Sequence, residues 1–389
     1  MIALRAARVF DGTDLVAEPT VVLDGGRVVA TGVAVPDAVD LGDVTVLPGM
    51  IDVHVHLAFD ASPDPVGTLA ARSPDEVRDA MLDAGRRTLR AGVTTVRDLG
   101  DLEYGSLALR GHPEMPTIVA AGPPVTTAGG HCHFLGGAIP PGEASIRAAI
   151  RERAERGCDV VKIMASGGAL TPGSAQHLPQ FEPAELRAAV DEAHRHGLPV
   201  VAHAHATDGI AVALEAGVDG LEHVSFWTAD GVDDRPDLIE RIAERRVAVG
   251  ASIGAAPSSD AERRAVLASR PDAAEVFARV PKIMAGYARL IRAGAVVVAG
   301  TDAGIGPQKP HPALPNAVPQ LVELGMTPRE ALRAVTSVAA EVCGLAGRKG
   351  RLAPGFDADM LVVAGDPLTN PAAIHDVQAV YAEGRKVVA

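Results

Sequence analysis

The chain has 389 residues, of which 47% are apolar and 22% charged, the proportions of an ordinary globular protein. No apolar run approaches the roughly 18 residues of a membrane helix, which excludes membrane insertion. Against 49 Asp+Glu stand only 36 Lys+Arg, a net charge of −13, and no basic cluster is present to track a phosphate backbone, so nucleic acid is excluded as an expected partner.

Residues 1–47 read as short strands punctuated by turns: Ile2 to Phe10, Asp11-Gly12, Thr20 to Leu23, Asp24-Gly25-Gly26, then Arg27 to Thr31. From Leu47-Pro48-Gly49 onward, β-branched runs alternate with longer segments of helical period. The runs are Ile51–Leu57, Thr94–Leu99, Thr117–Ala121, Val160–Ala165, Val200–His205, Gly220–Val224, Val247–Ile253 and Ala295–Thr301. Helices are expected over 75–91, 144–156, 183–196, 209–216, 236–245, 276–293 and 328–343. Short strands return at Val362-Val363 and Ala379–Tyr381. Strand runs separated by helices predict an α/β fold, a (β/α)8 TIM barrel over residues 49–349. Segments 1–48 and 350–389 share a texture and are expected to pair into one small composite β-sandwich domain built from both chain termini. No Gly-x-Gly-x-x-Gly follows any strand, so a dinucleotide fold lacks its signature.

Cys132, Cys158 and Cys343 are too few and too scattered for a disulfide framework or a thiolate zinc site, and Met1 to Arg5 opens no secretory signal. A reducing cytoplasm is the expected location. Lysine occurs only at Lys162, Lys282, Lys309, Lys349 and Lys386, so a lysine inside an apolar strand stands out.

In a barrel of this kind the chemistry sits where strands end and βα loops begin. The first run carries His54 and His56, at i and i+2 and therefore on one side of a strand. The fourth carries Lys162, the fifth His203 and His205, the sixth His223, and the eighth is followed by Asp302. Imidazole and carboxylate are the ligands that Zn²⁺ and its relatives take in catalytic sites. One strand-end histidine is an ordinary core residue; five strand ends carrying ligand types form a pattern. Lys162 lies among apolar neighbours, where a free ammonium is costly and its pKa falls. A neutral amine there reacts with CO2 to give a carbamate able to bridge two cations. The alternative is an ion pair with a barrel carboxylate.

These motifs resemble the amidohydrolase superfamily: His-x-His on the first strand, a carbamylated lysine on the fourth, histidines on the fifth and sixth, and an aspartate on the eighth. Here they are His54/His56, Lys162, His203, His223 and Asp302. The flanking Leu47-Pro48-Gly49-Met50-Ile51-Asp52 and Gly350-Arg351-Leu352-Ala353-Pro354-Gly355-Phe356-Asp357-Ala358-Asp359 are similar too, so the resemblance covers essentially the whole chain. Val161 to Gly168 and Gly129-Gly130-His131-Cys132-His133 resemble the branch of imidazolonepropionase-like hydrolases and Xaa-Pro or Xaa-Arg dipeptidases. The resemblance implies two divalent metal ions, most simply Zn²⁺, with His54, His56 and Asp302 on one, His203 and His223 on the other, and CO2 held as the Lys162 carbamate between them. A hydroxide shared by the two cations would attack a polarised carbonyl. Asp302 would move its proton to the leaving group. Asp302, His131 and His223 form the expected catalytic set. Deaminases of the superfamily carry a glutamate shortly after the fifth-strand histidine; here Ala204-His205-Ala206-Thr207-Asp208 has none, which points to cleavage of an amide-type C–N bond in a dipeptide or N-acyl amino acid. The alternatives are a cyclic amide, lactam, imide, ester or lactone hydrolase with the same site, or a mononuclear deaminase-like hydrolase.

Further residues are assigned by position. His205 lies two residues on from His203, faces the same way and is the alternative fifth-strand ligand; the resemblance favours His203, and His205 is expected to support or pack. His131 and His133 lie in a Gly-rich loop at the barrel mouth and could contact a substrate oxygen or carboxylate. Ser166-Gly167-Gly168, with Gln176 and His177, could offer polar groups to a substrate. Arg97 could bind a carboxylate or pair with Asp98 or Asp52, and Trp227 could wall the pocket or pack in the core. His311 is expected in a rigid Pro-rich loop, and His112, His194, His196 and His375 on the surface. The expected partner is a small-molecule substrate. Members of the superfamily often form dimers or larger assemblies, but nothing in this sequence specifies an interface.

Overall fold

A computed structural model describes residues 1–257, 259–269 and 273–388; residue 389, the last of the C-terminal segment, lies outside them. Eight parallel strands form at the expected runs: Met50–Val55, Val93–Asp98, Thr117–Ala120, Val161–Met164, Val200–Ala206, Gly220–Thr228, Ala248–Ser252 and Val297–Gly300. They are counted here as first to eighth. Nearly every residue in them is buried, which is why they read as unbroken apolar runs rather than alternating ones.

The strands form two arcs. The first three pair in order, and the fourth to eighth pair in order, all in parallel register. Between the arcs the contact narrows to single parallel bridges, Val125 to Ile163 on one side and Val55 to Ala303 on the other. The expected barrel is therefore not a continuous hydrogen-bonded ladder. Each seam joins a residue within one strand, Ile163 or Val55, to one beyond the end of the neighbouring strand, Val125 or Ala303, and backbone hydrogen bonds flank both bridges.

Helices alternate with the strands as expected, and their starts are written locally. Ser73 caps Pro74–Arg90, with its hydroxyl accepting from the Glu76 amide while the Glu76 carboxylate accepts from the Ser73 amide. That helix buries Val77, Met81, Leu82 and Leu89. The same reciprocal cap opens Pro328–Ala334 through Thr327 and Glu330. The expected helix over 328–343 breaks into Pro328–Ala334 and Ser337–Val342, because Thr336 leaves helical geometry. Two helices that sequence periodicity missed, Pro65–Ala71 and Asp260–Ser269, are short and bury few residues. Among the described residues no helix is long and apolar enough to cross a membrane.

The terminal segments form two further sheets. Arg27–Thr31, Thr20–Asp24, Ile2–Arg5 and Val39–Asp40 make a four-stranded sheet from the N-terminal segment alone. The five-stranded sheet draws on both ends of the chain, with Val44–Pro48 antiparallel to Met360–Ala364 and Val46 opposite Val362. Leu4, Val21, Val28, Val46, Met360 and Val362 share one apolar cluster. Beneath it the Lys349 ammonium is buried between Asp357 at 2.8 Å and Asp359 at 2.7 Å.

Candidate metal centre

The strand-end residues converge at one end of the parallel strands. His54, His56 and Asp302 place one ligand atom each within 4.8 Å of one another, and so do His203, His205 and His223. Asp302 Oδ1 lies 3.3 Å from His56 Nε2 and 3.6 Å from His54 Nε2. The His54 and His223 rings, one from each group, are 5.1 Å apart between centroids, so the two groups adjoin.

The rings are oriented by what holds their other nitrogens. His56 Nδ1 faces the Gly100 carbonyl at 2.9 Å, and His203 Nε2 faces the Gly167 carbonyl at 3.0 Å. A carbonyl only accepts, so those nitrogens carry the hydrogen and the opposite ones are bare. His223 Nδ1 is 2.6 Å from Ser252 Oγ, and His205 Nδ1 is 3.0 Å from Ser225 Oγ. Fixing the tautomer through the far nitrogen is how metal-binding histidines are prepared. Burial, reinforced by neighbouring imidazoles, holds His203 and His223 well below the ordinary histidine pKa, so both are neutral and able to ligate.

His205, the alternative fifth-strand ligand, stacks on His223 with ring centroids 4.3 Å apart and offers a ring nitrogen to the His203 and His223 group. The i, i+2 spacing that places His54 beside His56 acts on His203 and His205 in the same way.

Lys162 is fully enclosed, and its Nζ has no hydrogen-bond partner. The alternative ion pair with a barrel carboxylate is thus not formed. Burial lowers its pKa to about 8, partly offset by Glu222 and Asp302. An orphaned amine next to two ligand clusters is what a carbamate would occupy, and it fits a two-metal group better than an ion-pair role.

The backbone is bent to present these groups. His223, Val224, Phe226 and Asp302 all have positive φ, at 70°, 46°, 51° and 58°, a region costly for residues with a side chain. The pairing of the fifth and sixth strands jumps from Ala204 opposite His223 to Ala206 opposite Trp227, a bulge that leaves extra residues of the sixth strand between the two.

Glu222 escaped the sequence reading. Its Oε2 lies 2.8 Å from His54 Nδ1 and its Oε1 accepts from Arg97 Nη2 at 2.9 Å, all three side chains buried. Burial alone would raise the Glu222 pKa, but His54 and Arg97 more than offset it and bring it to about 2. Gly250 makes room for it, since a Cβ there would stand 2.0 Å from Glu222 Oε2. Arg97 therefore pairs with neither Asp98 nor Asp52. Asp98 is taken by the amides of Leu57 and Gly100, and Asp52 by Thr301 and the His54 amide.

His131 is buried against His203, with ring centroids 4.6 Å apart and Nδ1 unpartnered, and a Cβ on Gly168 would strike its ring at 2.3 Å. His133 points away and is exposed. Ser166 Oγ accepts from the His205 amide, whereas Gln176 and His177 stay in a half-buried loop. Gln180, which sequence reading passed over, ties that loop down by accepting from the His131 amide and donating to the Met164 carbonyl. Trp227 is buried, 6.2 Å from the His205 ring, and the Arg279 guanidinium lies 4.1 Å over its face. His311 is buried rather than at the mouth, its Nε2 donating to the Phe59 carbonyl at 2.8 Å.

A model of the Amidohydrolase family matches residues 45–387. Ochratoxinase of Aspergillus niger is 28% identical over 367 residues, covering 86% of this chain and 73% of that protein. Among solved structures, a Xaa-Pro dipeptidase with methionine bound in its active site superposes with a TM-score of 0.82 at 25% identity, covering 99% of both chains. A prolidase complexed with N-methylphosphonate-L-proline gives 0.83 at 27% identity, over 99% of this chain and 98% of that one.

Proposed function

Because the chain belongs to the Amidohydrolase family, we propose that it is a metal-dependent hydrolase cleaving the amide-type C–N bond of a dipeptide or N-acyl amino acid. The observation that carries this reading is the enclosure of the unpartnered Lys162 Nζ beside two three-residue ligand groups. The similarity to a Xaa-Pro dipeptidase and a prolidase supports the substrate class.

In this reading His54, His56 and Asp302 would hold one divalent ion and His203 and His223, with His205 beside them, the other; Lys162 as its carbamate would serve both, and Zn²⁺ would suit the donor set. Bound there, the ions supply Lewis acidity and lower the pKa of a coordinated water. The chain supplies the rest. Asp302 is the proton carrier, placed by its left-handed backbone at the rim of the first group. His131, buried and neutral, offers a hydrogen bond to the substrate carbonyl oxygen; burial and the nearby His205 hold its pKa down to about 3. His223, locked by Ser252, keeps its free nitrogen toward the reaction centre.

The two arcs of strands then act as one (β/α)8 barrel over 49–349, with 1–48 and 350–389 as one flanking β domain and the cytoplasm as the compartment. The test is a screen of metal-reconstituted protein against dipeptides, N-acyl amino acids, cyclic amides and lactones. Release of free amino acid from the first two classes supports the proposal. Turnover confined to rings or esters overturns the substrate class.

A further inference from the structure

Lys309 stands in the loop after the eighth strand, and its Nζ donates to Asp302 Oδ2 at 3.0 Å. The two oxygens of Asp302 are thus divided. Oδ1 faces His54 and His56, and Oδ2 faces the lysine.

The loop is built to hold that ammonium in place. The Lys309 carbonyl accepts from the Gly304 amide at 2.8 Å and its own amide donates to Gly306 at 2.9 Å. Gln308 is tied to the loop after the seventh strand through the Ala256 amide. Pro310 follows, and the next residue, His311, is anchored through its Nε2 to the Phe59 carbonyl. A merely solvating lysine needs none of this. Its side chain is nevertheless 21% exposed, against 8% for Asp302, so it borders the open mouth while Asp302 lies beneath.

The other cations around the site are committed. Arg97 is buried on Glu222. Arg279 is held by the Thr228 and Gly231 carbonyls over Trp227. Lys162 is enclosed below the ligands. Among the described residues at the site, Lys309 is the cation at the mouth whose one partner is a carboxylate that a substrate could replace.

We infer that Lys309 is a specificity-determining residue that binds the free carboxylate of the substrate's amino-acid portion, transferring its ammonium from Asp302 to the substrate as the complex forms. This rests on the hydrolase reading above and names the residue that reads the carboxylate shared by dipeptides and N-acyl amino acids.

The experiment compares wild type, Lys309→Met and Lys309→Arg, all metal-reconstituted, on N-acetyl-L-proline, N-acetyl-L-methionine and N-acetyl-L-phenylalanine and on their primary amides. Binding of each pair is measured in parallel by calorimetry. Wild type is expected to favour the acids. Lys309→Met raises KM and Kd for the acids by about 10- to 100-fold, the loss of one hydrogen bond between charged groups, and leaves the amides unchanged. Lys309→Arg restores much of the preference. Equal treatment of acids and amides by wild type, or a loss in Lys309→Met that falls equally on both, overturns the inference and leaves the hydrolase reading standing. Absence of any hydrolysis by wild type defeats that reading instead, and the calorimetric acid preference then decides the role of Lys309 by itself.

Discussion

Glu222 joins His54 to Arg97, 2.8 Å to the imidazole and 2.9 Å to the guanidinium, with none of the three reaching solvent. A carboxylate in that position fixes the His54 tautomer and turns its bare nitrogen toward Asp302. It also neutralises a guanidinium that would otherwise be buried alone.

Glu222→Ala is expected to weaken metal binding at the His54, His56 and Asp302 group by about 10- to 100-fold. It should also destabilise the fold by roughly 3–5 kcal/mol, because Arg97 keeps its charge and loses its partner. Glu222→Gln retains an acceptor and should lose less on both counts. Competition titration with a chelating dye and thermal melts read the two effects separately. Wild-type metal affinity in Glu222→Ala would remove Glu222 from the account.

Much of this was legible in the sequence because the chemistry sits at the ends of apolar runs. His54, His56, Lys162, His203, His223 and Asp302 are each a polar residue where a strand otherwise reads Val, Ile or Ala. Glu222 was not legible, since its partners Arg97 and His54 lie on other strands and a carboxylate beside His223 reads as an ordinary strand end. For Arg97 a structural ion pair is legible but its partner is not, because the nearest acids in the sequence, Asp98 and Asp52, are satisfied by backbone amides and Thr301 and the pair forms with Glu222. The spacing of His205 from His203 places both on one face and makes either a candidate ligand, which the sequence does not decide. The seams at Val125 and Val55 depend on strand register, and the all-buried pattern of these strands carries no alternation to fix it.

Lys162→Met replaces an enclosed amine that has no partner with an apolar group of similar length. The metal-free variant should melt at or above the wild-type temperature, since removing an unsatisfied buried polar group relieves a cost. Its metal content should fall from two equivalents to one or fewer. A metal-free variant destabilised by more than about 3 kcal/mol would show that the ammonium was holding a carboxylate after all.

Asp302→Asn keeps the shape of the side chain and an oxygen able to face a metal, but it takes up no proton. Turnover should fall by roughly 100- to 10 000-fold while the variant still binds metal. Single-turnover kinetics with metal analysis on the same sample check this. Near-wild-type kcat would place proton transfer elsewhere.

The metal-free protein should be acid-labile in a defined window. Burial lowers the pKa of His54 and His311 to about 4 and of His131 and His205 to about 3, from an ordinary 6.5. Unfolded chains therefore bind more protons below pH 6.5, and stability is lost as pH falls from there toward 4 and 3. Asp52 and Asp98, raised by burial to about 7 from 3.8, act in the opposite sense, their contribution being present below 3.8 and lost as pH rises through 7. With His203 and His223 also held down, six imidazoles outweigh the upward-shifted His56, Asp52, Asp98 and Asp101 and give a net fall in melting temperature between pH 6.5 and 4. A flat or rising melting temperature over that range would contradict the neutral, ligand-ready histidine cluster.

The most direct test of the central claim is metal content of the purified protein by plasma mass spectrometry, with the native intact mass measured with and without bicarbonate. The account predicts two equivalents of a divalent metal per chain and an added mass of about 44 Da, one CO2 retained on Lys162 in the two-metal site. One equivalent of metal with an unmodified chain would contradict it.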